Sequence, residues 1–441
     1  MINPDLFKKK ALVSLRDLDK YKLSGKATKV VGLVVESEGP KAPIGEICIL
    51  KNKEGQELSK VEIVGFKNNT ILSMILGDLS EVQPGMELVA TGEQLSVSLG
   101  DSLLGRVLDG MGEPLDDLGR IIPEERRSIY ALPPHPLTRQ RIREPLSTGI
   151  KAIDGLLTIG KGQRVGIFAG SGIGKSTLLG MIARNTSADI NVIALIGERG
   201  REVKEFIEDS LGEAGIQRSI LVVATSDAVP LVRVKAALVA TTIAEFFRDK
   251  GLDVLLMMDS ATRLAMAQRE VGLSIGEPPT SRGYTPSVFT LMQKAMERSG
   301  NSEIGSITGL YTVLVEGDDM NEPVSDAARG ILDGHIVLTR RLASFGHYPA
   351  IDVLESISRV MNDVISPEHK KAAKFVKEMM ATYRGAEDLI SVGAYQKGSN
   401  PRIDKAIKLN DIINGFLTQA TNEAIDFDEL VNKLISIANA E

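Results

Sequence analysis

The run RVGIFAGSGIGKSTLLGMIARN, residues 164–185, constrains the fold of this chain more than any other segment. A short apolar strand pattern leads into a loop with glycine at 170, 172 and 174, and a helical pattern follows at once. A loop in this setting wraps a phosphate group with backbone N–H groups at the positive end of a helix. The segment therefore predicts a phosphate-binding loop within an α/β sheet.

Each part of this loop has a chemical task in binding ATP. The glycines let the backbone approach a polyphosphate closely, and Lys175 supplies a mobile positive charge to the β and γ phosphates. The hydroxyl of Ser176 is a ligand that Mg²⁺ accepts beside water and phosphate oxygens. Ala169 stands where the common motif has glycine, and we expect no harm from this because the residue ends the strand. The predicted nucleotide-binding residues of the loop are Gly170, Ser171, Gly172, Ile173, Gly174, Lys175, Ser176 and Thr177.

Buried strand patterns alternate with helical patterns after residue 164. The strand patterns lie at 164–169, 191–197, 219–225, 253–259, 306–315 and 335–339. This alternation is typical of a mainly parallel α/β sheet.

Two carboxylates follow strands of this predicted sheet. Asp259 ends the apolar run VLLMMD, where an acid that organises Mg²⁺ through water is expected, although an aspartate there is also a common helix N-cap. Glu198, in IGERGRE, is our candidate for the group that orients and deprotonates water, and a surface charge is the alternative. Arg199 and Glu202 are predicted to support this loop.

The two flanks of the chain differ from its centre. Short β-branched runs broken by Gly and Pro predict a small all-β barrel, and they lie at 29–35, 46–50, 61–66, 70–74 and 87–91. The stretch 106–136 is rich in turn residues and is predicted to be a connector. Helical periodicity after Ser366, with starts at Ser366-Pro367 and Asn400-Pro401, predicts a helical domain. Residues 4–20 predict a basic amphipathic helix that packs on its own domain, docks to a partner or contacts anionic lipid.

Composition excludes several classes of protein. The 52 Lys and Arg against 58 Asp and Glu give a net charge of −6, which argues against a generally basic nucleic-acid binder. Cys48 is the single cysteine of the chain, so an internal disulfide framework or a multi-cysteine metal cluster is excluded. The N-terminus lacks the apolar stretch of a signal peptide, and the apolar runs are shorter than the ~20 residues that span a bilayer. We expect a cytoplasmic protein whose membrane contact is peripheral.

Together these motifs resemble the catalytic subunits of rotary ATPases over nearly the whole chain. More closely, several runs are similar to those of the flagellar type III protein export ATPases. These runs are PPHPLTRQRIREPLSTGIKAIDGL, GIFAGSGIGKSTLLGMIAR, IGERGREVKEFIE, TSDAVPLVR, REVGLSIGEPPTSRGYTPSVF and LVEGDDMNEPVSDAARGILDGHIVLTR. The resemblance implies a RecA-like P-loop NTPase core, preceded by the β-barrel and followed by the helical domain.

The resemblance also implies roles for individual residues. Lys175, Glu198 and Asp259 fall on the catalytic positions of the family. In FGHYPAIDVLESISRVM, Tyr348 falls where related subunits stack the adenine, and Arg359 falls where an arginine reaches the nucleotide of the neighbouring subunit. From the residues alone, Tyr348 is expected in the core and Arg359 in a surface ion pair. We also predict that Arg199 is a nucleotide-binding residue.

The assembly implied by the resemblance is a homohexameric ring with sites at subunit interfaces. Its implied partners are a regulatory stator-like protein at the N-terminal helix, a central stalk protein, a membrane export gate and chaperone–cargo complexes near the C-terminal helices. The implied location is the inner face of the cell membrane, at the export apparatus. The predicted parts are an N-terminal partner-binding helix (1–20), a β-barrel domain (21–95), an ATPase core (96–365) and a helical domain (366–441).

Three other hypotheses about the function stay open at this point. The virulence injectisome ATPase shares every catalytic residue named above, and only the flanking runs favour the flagellar assignment. A non-catalytic nucleotide-binding subunit of a rotary ATPase is disfavoured by Glu198, because such subunits resemble this pattern with Gln there. A ring-shaped RNA translocase needs a basic or aromatic RNA-binding surface, and the barrel region lacks a strong signal of that kind.

Overall fold

The computed structural model describes residues 23–77, 82–315, 317 and 319–439. They form two compact units. The first comprises the described residues up to Leu95 together with Leu273–Glu277, and the second comprises Ser96–Gly272 with the described residues from Pro278 onward. The helix predicted over residues 4–20 lies outside the described residues.

Six antiparallel strands close into a barrel in the first unit. The strands are β1 (Ser24–Val31), β2 (Val34–Glu38), β3 (Glu46–Lys51), β4 (Glu57–Lys67), β5 (Thr70–Ile75) and β6 (Glu87–Gln94), in the order β1-β2-β5-β4-β3-β6. The barrel closes because β6 also pairs with β1. Aliphatic side chains and the thiol of Cys48 fill its interior. The predicted barrel is confirmed, but the run 29–35 is not one strand, because the chain reverses at Gly32 (φ 55°) between β1 and β2.

The second unit contains one large sheet and two small ones. Its strands are β7 (Ser96–Leu99), β8 (Val107–Asp109), β9 (Glu125–Ser128), β10 (Pro145–Leu146), β11 (Ile159–Gly160), β12 (Arg164–Ala169), β13 (Ile190–Ile196), β14 (Ser219–Ala224), β15 (Asp253–Asp259), β16 (Gly300–Asn301), β17 (Ser306–Leu314), β18 (Gly334–Leu338) and β19 (Ile351–Ser358). The large sheet has the order β19-β18-β12-β17-β15-β13-β14-β8 with β16 paired to β17. Strands β18 through β8 of this order run parallel, which confirms the predicted mainly parallel sheet.

Two parts of the second unit differ from the sequence-based expectation. The predicted connector 106–136 supplies β8, which pairs in parallel with β14, and β9, which pairs with β7. Strand β19 was not predicted, and it runs antiparallel to β18 at the sheet edge. Strand β8 was missed because it is only three residues long and is flanked by turn residues. Strand β19 was missed because polar residues interrupt its apolar pattern.

Helices pack on the strands and form the C-terminal region. They are α1 (Lys151–Leu156), α2 (Lys175–Asn185), α3 (Gly200–Glu205), α4 (Gly212–Gln217), α5 (Pro230–Asp249), α6 (Ala261–Ser274), α7 (Pro286–Glu297), α8 (Pro323–Ile331), α9 (Arg340–Ser344), α10 (Met361–Val364), α11 (Pro367–Ser391), α12 (Pro401–Leu417) and α13 (Phe427–Ala438). A π-helical turn, Phe206–Leu211, joins α3 to α4. None of the described helices is long and apolar enough to cross a membrane.

The C-terminal helices begin where the sequence predicts. The hydroxyl of Ser366 accepts a hydrogen bond from the His369 N–H at 3.2 Å, and the Asn400 side chain accepts one from the Arg402 N–H at 3.0 Å. These caps satisfy N–H groups that the first helical turn leaves free. His369 Nε2 lies 2.8 Å from the Gly155 carbonyl oxygen at the end of α1, which ties the helical region to the sheet region.

Candidate active site

The phosphate loop joins β12 to α2 at the C-terminal edge of the large sheet. Gly172 and Gly174 have φ values of 77° and 89°, in the left-handed region that glycine adopts without strain. No side chain in the described part of the chain caps α2. The first backbone N–H groups of this 11-residue helix are therefore free to bind an anion.

A cleft of about 610 Å³ opens in front of this loop. Its lining includes Gly170, Ser171, Gly172, Gly174, Ser176 and Thr177. Its charged lining residues are Lys175, Glu198, Arg199, Glu202, Arg263 and Arg340. Ile173 is buried and lines the smaller pocket beside the phosphate loop instead. Thus all the predicted loop residues except Ile173 meet in one concave site.

Lys175 lies between the two predicted catalytic carboxylates. Its ammonium group contacts the Asp259 carboxylate and lies 3.6 Å from Oε1 of Glu198. These residues meet because β15, β13 and β12 are parallel and end at the same edge of the sheet. Thr312 on β17, between β12 and β15, donates a hydrogen bond to Asp259 Oδ1 at 2.7 Å. Asp259 is therefore fixed by two partners in a buried position.

Burial gives Glu198 the acid–base character of a group that titrates near neutral pH. Desolvation raises the pKa of Glu198 to about 7; Lys175 opposes this rise, while Asp259 and a hydrogen bond with Glu202 add to it. The same hydrogen bond lowers the pKa of Glu202. Arg199 Nη1 donates to Glu202 Oε1 at 2.7 Å. Glu202 is thus held as a carboxylate that accepts a hydrogen bond from protonated Glu198.

A smaller, mostly apolar pocket of about 170 Å³ adjoins the phosphate loop. Tyr348 lines it with Leu178, Leu338, Pro349 and Ala350. Tyr348 is 46% exposed, so part of it is accessible to a ligand. Tyr348 is therefore not the core residue that its sequence context alone predicts.

Arg359 does not join this cluster within one chain. It follows β19, whose last residue, Ser358, pairs with Gly334 at the start of β18, whereas the phosphate loop is level with Leu338 at the other end. The four residue steps from Gly334 to Leu338 span roughly 13 Å. Arg359 is exposed, and its guanidinium donates to the Arg329 carbonyl oxygen at 3.3 Å; it pairs with no carboxylate among the described residues.

Three residues of the site were missed in the sequence. Arg263, on α6 after Asp259, and Arg340, at the start of α9, line the cleft. Gln419 reaches the small pocket from the loop between α12 and α13. The position of Arg263 four residues after Asp259 was a usable signal, whereas Gln419 has no local pattern that marks it.

Family models match three successive parts of the chain. The beta-barrel domain of the ATP synthase alpha/beta family matches residues 27–92, and the nucleotide-binding domain of that family matches residues 149–358. The T3SS EscN ATPase C-terminal domain matches residues 365–436.

Curated relatives and solved structures match almost the whole chain. The flagellum-specific ATP synthase of Bacillus subtilis is 52% identical over 96% of this chain and 97% of its own length. The type 3 secretion system ATPase of Xanthomonas euvesicatoria is 48% identical over 94% of each. The assembled ATPase EscN from the enteropathogenic E. coli type III secretion system superposes with a TM-score of 0.89 at 46% identity, covering 94% of this chain and 100% of that one. The chain therefore belongs to the ATP synthase alpha/beta family, in the group of its flagellum-specific and type III secretion ATPases.

Proposed function

We propose that this ATPase hydrolyses MgATP to energise the export of flagellar proteins through the flagellar type III secretion apparatus. One observation carries the hydrolytic part: Lys175 contacts Asp259 and lies 3.6 Å from Glu198 at the uncapped start of α2, where the phosphate loop lines a 610 Å³ cleft. The 52% identity to the Bacillus subtilis flagellum-specific protein and the flanking runs support the flagellar part.

Binding of the triphosphate is the first task of the loop. The backbone N–H groups of 170–177 surround the phosphates, and the glycines at 172 and 174 permit this close approach. The ammonium group of Lys175 leaves Asp259 and Glu198 and contacts the β and γ phosphates. Arg199, Arg263 and Arg340 add positive charge to the cleft, which offsets the negative charge of the nucleotide.

The residues present fit a magnesium ion that arrives with the nucleotide. In the described part of the chain no three His, Cys, Asp or Glu side chains cluster as metal ligands, so phosphate and water must supply most of the shell. Ser176 lines the cleft and offers its hydroxyl as a ligand. Asp259, oriented by Thr312, is placed to hold a water of that shell. When bound, the ion neutralises charge on the phosphates.

Glu198 is the general base in this proposal. Its carboxylate takes a proton from a water molecule as the water oxygen bonds to the γ-phosphorus and the bond to the β-phosphate oxygen breaks, leaving ADP and phosphate. A base with a pKa near the working pH is the most effective, and burial supplies that value here. Once Glu198 has taken the proton, its carboxyl group donates a hydrogen bond to the Glu202 carboxylate, which holds it in place.

Tyr348 and Arg359 complete the proposed site. The ring of Tyr348 stacks on the adenine in the small pocket. Arg359 lies near the N-terminal ends of the parallel strands, whereas the phosphate loop lies at their C-terminal ends. In this proposal Arg359 reaches the nucleotide of a neighbouring subunit, because a homohexameric ring brings these two sides of adjacent subunits together. The assembled state of EscN supports this arrangement.

Further partners follow from the same family. EscN has been solved with its central stalk EscO, which supports a stalk protein for this chain as well. We extend the proposal to a stator-like protein at the N-terminal helix, to an export gate and to chaperone–cargo complexes. The place of action is the cytoplasmic face of the membrane.

The injectisome is the second candidate, because the Xanthomonas type 3 secretion ATPase is 48% identical to this chain and EscN is 46% identical. Complementation separates the two. The chain is expressed in one strain that lacks its flagellar ATPase and in another that lacks its injectisome ATPase, and secreted subunits are measured. Rescue of filament protein secretion alone supports the flagellar assignment, and rescue of effector secretion alone contradicts it. A Lys175→Ala variant is the control that ties rescue to hydrolysis.

A further inference from the structure

Gln419 links the C-terminal helical region to the small pocket beside the phosphate loop. It lies in the loop between α12 and α13, is 4% exposed and lines the pocket together with Tyr348 and Thr177. Its position far along the chain from both makes it a long-range component of the site.

The side-chain amide of Gln419 is fully used in hydrogen bonds. Its Oε1 accepts from the Lys151 N–H at 3.0 Å, and its Nε2 donates to the carbonyl oxygens of Gly149 at 2.8 Å and Glu423 at 2.9 Å. Lys151 is the first residue of α1, and the N-cap residue Ile150 has no side-chain oxygen to cap that helix. Gln419 therefore supplies the missing cap from the other end of the chain.

The backbone of Gln419 carries this anchor to Tyr348. Its N–H donates to the Tyr348 carbonyl oxygen at 2.9 Å. The ring of Tyr348 in turn lies against the phosphate loop, since a Cβ atom on Gly174 would be 3.8 Å from it. Displacement of Gln419 must therefore displace the backbone that carries the Tyr348 ring.

Further hydrogen bonds hold the residues on both sides of Gln419 in place. Asp154 is fully buried and accepts hydrogen bonds from Thr148 and from the Gly149 N–H at 2.9 Å, which fixes the carbonyl group that Gln419 binds. On the other side, Arg184 near the end of α2 donates to the Thr421 carbonyl oxygen at 2.7 Å. The loop is thus held by the helix that the phosphate loop itself begins.

We infer that Gln419 is a positioning residue for the nucleotide base. Gln419 couples the docking of the loop 418–423 to the placement of Tyr348. The inference rests on the proposed role of Tyr348 as the base-stacking residue. Because binding free energies are reciprocal, a ligand that contacts Tyr348 must also stabilise the docked loop, and a ligand that contacts only the phosphate loop should stabilise it much less.

The test compares two ligands that differ by the nucleoside. Dissociation constants of the full-length protein are measured for MgATP and for magnesium tripolyphosphate, which has the phosphates without the base. Gln419→Glu keeps the acceptor for Lys151 but places a carboxylate oxygen against the carbonyl groups of Gly149 and Glu423. Gln419→Met removes all three bonds at similar size. Gln396→Glu, at an exposed position, is the control for the same chemical change.

We expect both Gln419 variants to bind ATP roughly tenfold more weakly, as the loss of buried hydrogen bonds implies. Tripolyphosphate binding stays within about twofold of the parent, which also shows that the phosphate loop is folded. In hydrogen exchange, ATP should protect the amides of 418–423 in the parent much more than tripolyphosphate does. Equal weakening of both ligands, or weakening of neither, overturns the inference because Gln419 is then a general structural residue or is irrelevant to the site.

Tyr348→Ala separates this inference from the function on which it rests. If Tyr348→Ala weakens ATP binding and the Gln419 variants do not, the base role of Tyr348 stands and the role of Gln419 falls. If Tyr348→Ala has no effect, the base assignment itself is wrong. In the double variant, the two losses should not add, because Gln419 acts through Tyr348.

Discussion

The ammonium group of Lys175 lies 3.6 Å from Oε1 of Glu198 while it contacts the carboxylate of Asp259. One cation therefore balances two acids in the absence of nucleotide. A triphosphate that enters the cleft competes with both for this charge. We therefore expect a bound substrate to weaken the attraction of Lys175 that opposes the raised pKa of Glu198, which makes Glu198 a stronger base.

Replacement of Glu198 by Gln is expected to separate binding from hydrolysis. The amide can position a water molecule but cannot accept its proton, so turnover should fall roughly 10²- to 10⁴-fold while ATP binding persists. Steady-state phosphate release and a nucleotide-binding titration measure the two effects. Glu213→Gln, at an exposed carboxylate, is the matched control. Normal turnover in Glu198→Gln removes this residue from the mechanism.

The pH dependence of hydrolysis should report the titration of Glu198. Burial raises its pKa to about 7, and only the deprotonated form accepts a proton from water. The value of kcat/KM should therefore rise with pH through about 7 and level off above it. Glu202→Gln should lower the midpoint if the hydrogen bond with Glu202 contributes to the raised pKa. If kcat/KM stays constant from about pH 5.5 to about pH 8.5, which is about 1.5 pH units on either side of 7, the assignment is wrong.

Tyr348 should contribute through its ring and not through its hydroxyl. Tyr348→Phe is expected to keep the affinity for ATP, whereas Tyr348→Ala should lose about 1–3 kcal/mol, the usual worth of stacking between a base and an aromatic side chain. The KM for ATP and the dissociation constant for ADP measure this loss. Equal affinities in the Ala and Phe variants indicate that the base binds elsewhere.

The buried pair Arg298–Glu245 should be a main support of the second unit. Its side chains are 2% and 4% exposed, with Nη2 and Oε2 2.6 Å apart. Arg298→Met leaves a buried carboxylate without its partner, which typically costs about 3–5 kcal/mol of stability. Urea unfolding followed by circular dichroism measures the loss.

Two comparisons test this explanation for Arg298. The double variant Arg298→Met with Glu245→Leu should recover most of the loss, because no unpaired charge remains buried. Arg402→Met, on the exposed face of α12, should change stability little. A double variant that is less stable than Arg298→Met indicates that packing, and not the unpaired charge, causes the effect.

Local patterns predicted the phosphate loop, the parallel strands and the starts of the C-terminal helices because the determinants of each lie within a few residues. The strand β19 was missed because it lies at a sheet edge and carries Asp352 and Glu355 among its apolar residues. The turn at Gly32 was missed because the β-branched residues on both sides read as one run. Gln419 could not be found in this way, since its partners Lys151 and Gly149 lie about 270 residues away and only the folded chain brings them together. The domain limits at 95/96 and 365/366 stay predictions.

We propose that each site is completed by Arg359 of a neighbouring subunit. Arg359→Ala should assemble but hydrolyse ATP more slowly by roughly 10³- to 10⁵-fold, as for other arginines supplied in trans. Arg402→Ala is the exposed control.

The most direct measurement mixes Arg359→Ala with Lys175→Ala and records the ATPase rate together with the mass of the assembly. Each variant is inactive alone, but a Lys175→Ala subunit can lend its Arg359 to the intact phosphate loop of its neighbour. With random mixing in equal amounts, about one quarter of the sites are complete, so activity should return to about that fraction of the parent rate. Mixed rings that form without any recovered activity contradict the account, as does full activity of Arg359→Ala alone.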